Sequence, residues 1–129
     1  MAAPDELREN ILIRDLRDPI LDEIESDLTI CLEVAEHIDP GYLDSFLSNV
    51  TKLSNHLLVM SWSTSYPEQS APPQHISPIW KYQYKRIMKS YGFQEKKKLT
   101  KSLKSIAENE QYFHKWWLST VTVWSKVKN

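Results

Sequence analysis

Glycine is nearly absent from this sequence, because Gly41 and Gly92 are the only two in 129 residues. A glycine-rich phosphate loop and a dinucleotide-binding turn each need several glycines close together. The sequence therefore excludes nucleotide-binding sites of those two types. The sequence also contains no G-x-S-x-G motif, so no serine is indicated as a nucleophile.

Cysteine is equally scarce, and Cys31 is the single thiol of the chain. One cysteine excludes an intrachain disulfide framework and a cysteine-rich zinc site, and it favours a reducing compartment. We therefore expect an intracellular location, in the cytoplasm or the nucleus. Cys31 falls on the apolar stripe of a predicted helix, where a thiol normally packs as a small hydrophobic group.

Long apolar runs are absent as well. No stretch is apolar over the length needed to cross a bilayer, and the start, MAAPDELREN, has neither region of a secretion signal. We expect no membrane span and no targeting segment. With 41% hydrophobic and 26% charged residues, the composition is that of a single folded domain over 1–129.

Charges of both signs are present, but they are unevenly distributed. Residues 1–62 carry 13 acidic and 4 basic side chains, a net of −9, whereas residues 63–129 carry 4 acidic and 12 basic ones, a net of +8. Opposite charge suggests that the acidic half packs beside the basic half. Between the halves, the Ser and Pro content of residues 63–77 predicts a long exposed loop.

Before this loop, apolar residues at intervals of three and four predict three acidic helices. The Asp-Pro pairs at 18–19 and 39–40 resemble helix starts, because Asp suits the N-cap and Pro the first turn. They divide the pattern into helices over about 5–17, 18–38 and 39–62.

After the loop, the basic and aromatic residues 78–127 also show helical spacing. A helix over about 78–91 ends at Gly92, and a further helical stretch, single or divided near Asn109, begins at Glu95. The run TVTVW at 120–124 has strand composition, but a strand without a partner is not viable, so we assign it to helix. The predicted fold class is all-α, a compact bundle of about five helices.

Two Glu and His pairs stand four residues apart, Glu33 with His37 and Glu110 with His114. On helices, each pair shares one face, and two facing helices would bring four metal ligands together. Carboxylate-bridged di-metal bundles use Glu-x-x-His, which is one residue shorter, so ordinary helix-surface pairs are the favoured interpretation. We predict no catalytic residue, no metal and no cofactor.

The stretch from Lys81 to Lys104 holds nine Lys and Arg residues and one acid, Glu95. Lysines neutralise phosphates without reading bases, and aromatic residues among them stack on single-stranded bases. Trp116 lies off the apolar stripe that includes its neighbour Trp117, which makes it a candidate interface anchor. The predicted partner- or phosphate-binding residues are Lys81, Lys85, Arg86, Lys89, Lys96, Lys97, Lys98, Lys101, Tyr82 and Trp116.

These features favour a protein that binds others rather than an enzyme. The sequence shows no recognisable set of catalytic residues. One half of the chain is acidic and the other basic, and Trp and Tyr are abundant. The leading hypothesis is a non-enzymatic helical adaptor, or a subunit that mediates protein–protein interaction within a larger intracellular complex. The alternative is a nucleic-acid-binding module that uses the basic face from Lys81 to Lys104.

Overall fold

A four-stranded mixed sheet lies at the centre of the computed structural model, which describes residues 5–64, 75–110 and 117–128. The strands are β1 (Ser26–Cys31), β2 (Ser54–Met60), β3 (Phe93–Glu95) and β4 (Thr122–Lys126). They lie in the order β1-β2-β4-β3; β1 and β2 are parallel, and β4 is antiparallel to both β2 and β3. The carboxyl ends of β1, β2 and β3 therefore lie at the same edge of the sheet.

Helices connect the strands within the described residues. They are α1 (Asp5–Arg8), α2 (Leu43–Leu53), α3 (Lys81–Ser90) and α4 (Lys97–Asn109), with 3₁₀ helices at Ala35–His37 and Pro40–Tyr42. Parallel strands need a crossover connection, and α2 supplies it between β1 and β2. None of these helices is long and apolar enough to span a bilayer.

The all-α bundle predicted from the sequence is wrong. The predicted helix over 18–38 contains β1 instead, and the predicted helix over 39–62 divides into α2 and β2. In the predicted helix over 5–17, only Asp5–Arg8 is α-helical. The physical reason is that apolar residues three or four apart also fit short strands flanked by loops, and periodicity alone does not separate the two.

The run at 120–124 is a second correction, because β4 begins at Thr122. Val123 pairs with Val59 of β2, and Trp124 pairs with Leu58. The partner of β4 is β2, which the sequence analysis had assigned to the third predicted helix, over 39–62. The alternating Thr and Val residues were therefore the correct local signal.

The structure agrees with the predicted helix over 78–91 and describes only part of the predicted loop over 63–77. Helix α3 lies within the predicted helix over 78–91, and Gly92 follows it with a left-handed φ of 83°. Most of the predicted exposed loop over 63–77, namely residues 65–74, lies outside the described residues. At its end, Ser77 is buried, and its hydroxyl donates to the Ile38 carbonyl at 2.5 Å.

Tyr84 links three elements at the centre of the core. Its ring makes edge-to-face contacts with Trp62 and Trp124, at centroid distances of 5.9 Å and 5.3 Å. Its hydroxyl donates to the Met60 carbonyl and accepts from Nε1 of Trp124, each at 2.9 Å. Burial raises the pKa of Tyr84, so the hydroxyl stays neutral. Helix α3 is thereby attached to β2 and β4.

The sheet also joins the acidic and basic halves of the chain. Strand β2 comes from the acidic half and pairs with β4 from the basic half. Backbone hydrogen bonds and a shared apolar core therefore connect the halves. General attraction between their opposite charges stays a prediction.

Replacing Tyr84 by Phe is expected to lower the free energy of unfolding by about 1–3 kcal/mol, because the buried carbonyl of Met60 and the indole N–H of Trp124 lose their partner. Urea unfolding at pH 7 measures this difference. The matched control is Tyr82→Phe, which removes a hydroxyl from a ring that is 75% exposed and should change stability by less than about 0.5 kcal/mol. Equal stabilities for the two variants would contradict the bridging role.

Cys31 packs in the core, as expected, and is 8% exposed. Burial raises the pKa of the thiol to about 11, and the nearby charge of Glu36 makes a smaller contribution in the same direction. Because only the thiolate is a strong nucleophile, Cys31 should react very slowly with Ellman's reagent at pH 8 in the folded protein and completely in denaturant. Fast labelling of the folded chain would show that the thiol is accessible and ionised.

Candidate functional site

The carboxyl ends of β1 and β2 carry the candidate site. Open α/β sheets bind their ligands beyond this end of the parallel strands. Glu33, two residues beyond β1, has a left-handed φ of 55°, which costs energy for a residue other than glycine. Its backbone N–H donates to the hydroxyl of Ser61, which follows β2, at 2.8 Å. The two strand ends are therefore tied together at a strained residue.

Glu36, His37 and His75 meet at this edge. One potential ligand atom from each lies within 4.8 Å of those of the other two, and the two imidazole rings contact edge to face at a centroid distance of 4.8 Å. The backbone N–H groups of Ile76 and Ser77 donate to the Glu36 carbonyl at 2.8 Å and 2.9 Å. These bonds hold the His75 segment against the first 3₁₀ helix.

The Glu36 side chain is fully buried. Within the described part of the chain, no N–H or hydroxyl group donates to either of its carboxylate oxygens, and the polar side chain that reaches it is the carboxyl of Glu33. A buried carboxylate without a partner is costly, and buried charges in proteins are normally paired or bound to a metal. Glu36 is therefore an acceptor in need of a cation or a proton.

Glu33 lies beside this carboxylate. Burial, a side-chain hydrogen bond with Glu36 and the charge of Glu36 raise the pKa of Glu33 to about 8. We name Glu33, Glu36, His37 and His75 the metal-ligand cluster. Two carboxylates and two imidazoles form a mixed oxygen and nitrogen set, which suits divalent ions such as Mn²⁺, Fe²⁺ or Zn²⁺.

Two cavities open at the same edge. The first has a volume of about 230 Å³ and is lined by Glu33, His37, Ser63, Thr64, His75, Ser119 and Thr120. The second, which we name the aromatic cavity, has a volume of about 290 Å³. Its walls include Trp62, Trp80, Lys81, Tyr84, Glu95 and Lys104. Thr64, Ser119 and Thr120 line both, so the two cavities adjoin.

The predicted partner- or phosphate-binding residues are divided between several surfaces. Lys81 lines the aromatic cavity, and Lys96, Lys98 and Lys101 are exposed at or before α4. A third cavity of about 460 Å³ is lined in part by Tyr82, Lys85, Arg86, Lys89 and Lys97. Their role in binding stays a prediction.

Two of these predicted residues need separate comment. Lys85 is engaged within the fold, because its Nζ lies 2.8 Å from Oε2 of Glu95. Trp116, the candidate anchor, lies outside the described residues.

Sequence reasoning recognised only part of the metal-ligand cluster. It paired Glu33 with His37 but placed them on one α-helix, whereas Glu33 lies between β1 and a 3₁₀ helix and His37 is the last residue of that 3₁₀ helix. Of the second predicted pair, Glu110 is exposed, and His114 lies outside the described residues. Glu36 and His75 were missed. The compact run EVAEH directly after an apolar stretch was the available signal.

Neither a protein family nor a curated protein matches the sequence. Among solved structures, the chain is similar to magnesium protoporphyrin IX methyltransferase (ChlM) from Synechocystis PCC 6803, in one structure with bound SAM and in another with bound SAH. In both comparisons the TM-score is 0.50, the sequence identity is 14%, and 90% of this chain is covered. The match covers 44% and 49% of those chains, so this chain spans about half their length.

This likeness corrects the functional prediction. The non-enzymatic adaptor or complex subunit was inferred from the missing catalytic constellation, the two charged faces and the surplus of Trp and Tyr, and the nucleic-acid-binding module that was its alternative was inferred from the basic stretch. The sheet is similar to that of two methyltransferase structures, which contradicts these predictions and the prediction that the protein is not an enzyme. At 14% identity, what the comparison shows is the fold: a mixed α/β sheet with helices, as in these methyltransferase structures.

Proposed function

We propose that this protein is the substrate-positioning half of a methyl-transfer enzyme and that it binds a divalent metal ion through the metal-ligand cluster. The carrying observation is the buried Glu36 carboxylate, which receives no N–H or hydroxyl donor in the described structure and lies beside the Glu33 carboxyl and two imidazoles. Its position at the carboxyl edge of a parallel strand pair is where α/β enzymes hold their ligands.

The reaction class is supported by the fold. Both matching structures are of a methyltransferase, with SAM or SAH bound, and this chain covers about half of them. We assign the methyl acceptor to this chain, because its metal-ligand cluster lies at the carboxyl edge of the parallel strands. The metal-ligand cluster then supplies what such an acceptor needs, a fixed position and a more reactive oxygen.

SAM itself does not fit the described residues of this chain. A nucleoside cofactor over a parallel strand end usually approaches the backbone at glycines in the following turn. Gly41 lies in the 3₁₀ helix that ends the connection from β1 to α2, and Gly92 lies after α3, so neither is in the turn directly after β1 or β2. The proposed role of this chain is therefore limited to the acceptor side of the reaction.

The residues of the metal-ligand cluster have distinct tasks in this proposal. Glu36 and His37 are held by the 3₁₀ helix after β1, whereas His75 arrives on a segment fastened to the Glu36 carbonyl. Ser61 fixes the backbone of Glu33. A divalent ion held by these groups acts as a Lewis acid, which lowers the pKa of an oxygen bound to it.

Replacing His75 by Ala is expected to weaken Mn²⁺ binding by at least about tenfold, because one of the two imidazole ligands is lost while buried Glu36 stays in place. Isothermal titration calorimetry of the purified chain with Mn²⁺, after treatment with a chelator, measures the affinity. Mn²⁺ should also raise the melting temperature of the unmodified chain, since a ligand that binds only the folded state stabilises it.

The matched control is His56→Ala. His56 is half exposed, pairs with Asp27 at 3.6 Å, and lies outside the metal-ligand cluster. Its replacement should leave Mn²⁺ affinity unchanged. Absence of saturable binding by the unmodified chain, or equal affinities in the two variants, would refute the metal site and with it the proposed function.

A further inference from the structure

The aromatic cavity combines apolar walls with two lysines. Trp62 is buried, with Nε1 donating to the Ser77 carbonyl at 2.6 Å, and the Tyr84 hydroxyl is occupied by Met60 and Trp124. These two rings are therefore fixed walls. The cavity of about 290 Å³ is large enough for an organic ligand and near the lower limit of small-molecule sites.

Trp80 stands apart from the other tryptophans described. Its side chain lines the cavity, yet 73% of it is exposed, whereas Trp62 and Trp124 are each 1% exposed. An indole ring gains much from contact with another planar group and little from water. The ring at the cavity mouth is therefore free to stack on a ligand.

The charge at the cavity is positive. Glu95 lines the cavity, but its carboxylate is already paired with Lys85 at 2.8 Å. Lys81 and Lys104 remain as two like charges at one cavity. Burial and the neighbouring charges of Lys81 and Lys85 lower the pKa of Lys104 by more than the charges of Glu95 and Glu108 raise it. An anion between Lys81 and Lys104 would relieve this repulsion.

The aromatic cavity leads toward the metal-ligand cluster. Thr64, Ser119 and Thr120 line both the aromatic cavity and the cavity that contains Glu33, His37 and His75. A ligand whose anionic group lies at the lysines can therefore direct an oxygen toward the proposed metal. The shared hydroxyl-bearing walls offer hydrogen bonds along that path.

We propose that the aromatic cavity binds the methyl acceptor, and that this acceptor is a planar aromatic ring bearing an anionic group, with the ring on Trp80 and the anion between Lys81 and Lys104. This inference rests on the proposed function. The shared chemistry has two sources, a nucleoside phosphate or an aromatic carboxylate, and the experiment separates them.

The test is calorimetric titration of the full chain in EDTA, so that metal binding plays no part. The probes are adenosine 5′-monophosphate and benzoate, each beside its neutral counterpart, adenosine or benzyl alcohol. We expect one of the two anions to bind with a dissociation constant of about 1 mM or tighter, and its neutral counterpart to bind at least about tenfold more weakly. Whichever anion binds identifies the source.

Two variants locate the binding. Trp80→Ala and Lys104→Gln should each weaken binding of that anion by at least about tenfold. The matched controls are Tyr82→Ala, an aromatic ring that is 75% exposed and lines a different cavity, and Lys101→Gln, an exposed lysine on α4. Both controls should bind like the unmodified chain.

Failure of this inference is distinguishable from failure of the proposed function. If neither anion shows saturable binding, or if Trp80→Ala and Lys104→Gln bind as the controls do, the inference is overturned. Mn²⁺ titration of the same two variants should give the affinity of the unmodified chain, since neither residue belongs to the metal-ligand cluster. That measurement also verifies that the variants are folded.

Discussion

Backbone pairing on both edges of β2 is the constraint on which the remaining structure depends. The strand pairs with parallel β1 on one side and with antiparallel β4 on the other. The first pairing brings the strand ends that carry Glu33 and Ser61 together, and the second unites the two charged halves of the chain. The carbonyl of Met60, the last residue of β2, then receives the Tyr84 hydroxyl and positions α3.

Capping residues and apolar spacing predicted one helix and its end correctly. They failed for the strands, whose formation depends on pairing with distant segments. Helix α3 and its terminating Gly92 follow from capping and apolar spacing, and burial of Cys31 follows from its apolar neighbours. Strand β1 could not be separated from a helix, because its six residues are too short for periodicity to discriminate. Once β1 and β2 were read as helices, β4 had no visible partner.

The candidate site illustrates the same limit. Glu33 and His37 stand close in sequence, so their association was visible, although the assumed helix was not correct. Glu36 and His75 are brought together by bonds from the backbone of Ile76 and Ser77 to the Glu36 carbonyl, across a long stretch of chain. The burial of the Glu36 carboxylate beside the Glu33 carboxyl is a tertiary property, which no spacing rule expresses.

Glu36 contributes to the structure through both its backbone carbonyl and its side chain. Its backbone carbonyl fastens the end of the connection between β2 and α3, while its side chain belongs to the metal-ligand cluster that includes His75 on that connection. By thermodynamic linkage, occupancy of the cluster and the docked position of this connection must stabilise each other equally. Residues 75–80, at the end of this connection, lead directly to Trp80 and Lys81, so the same linkage would extend to the mouth of the neighbouring cavity.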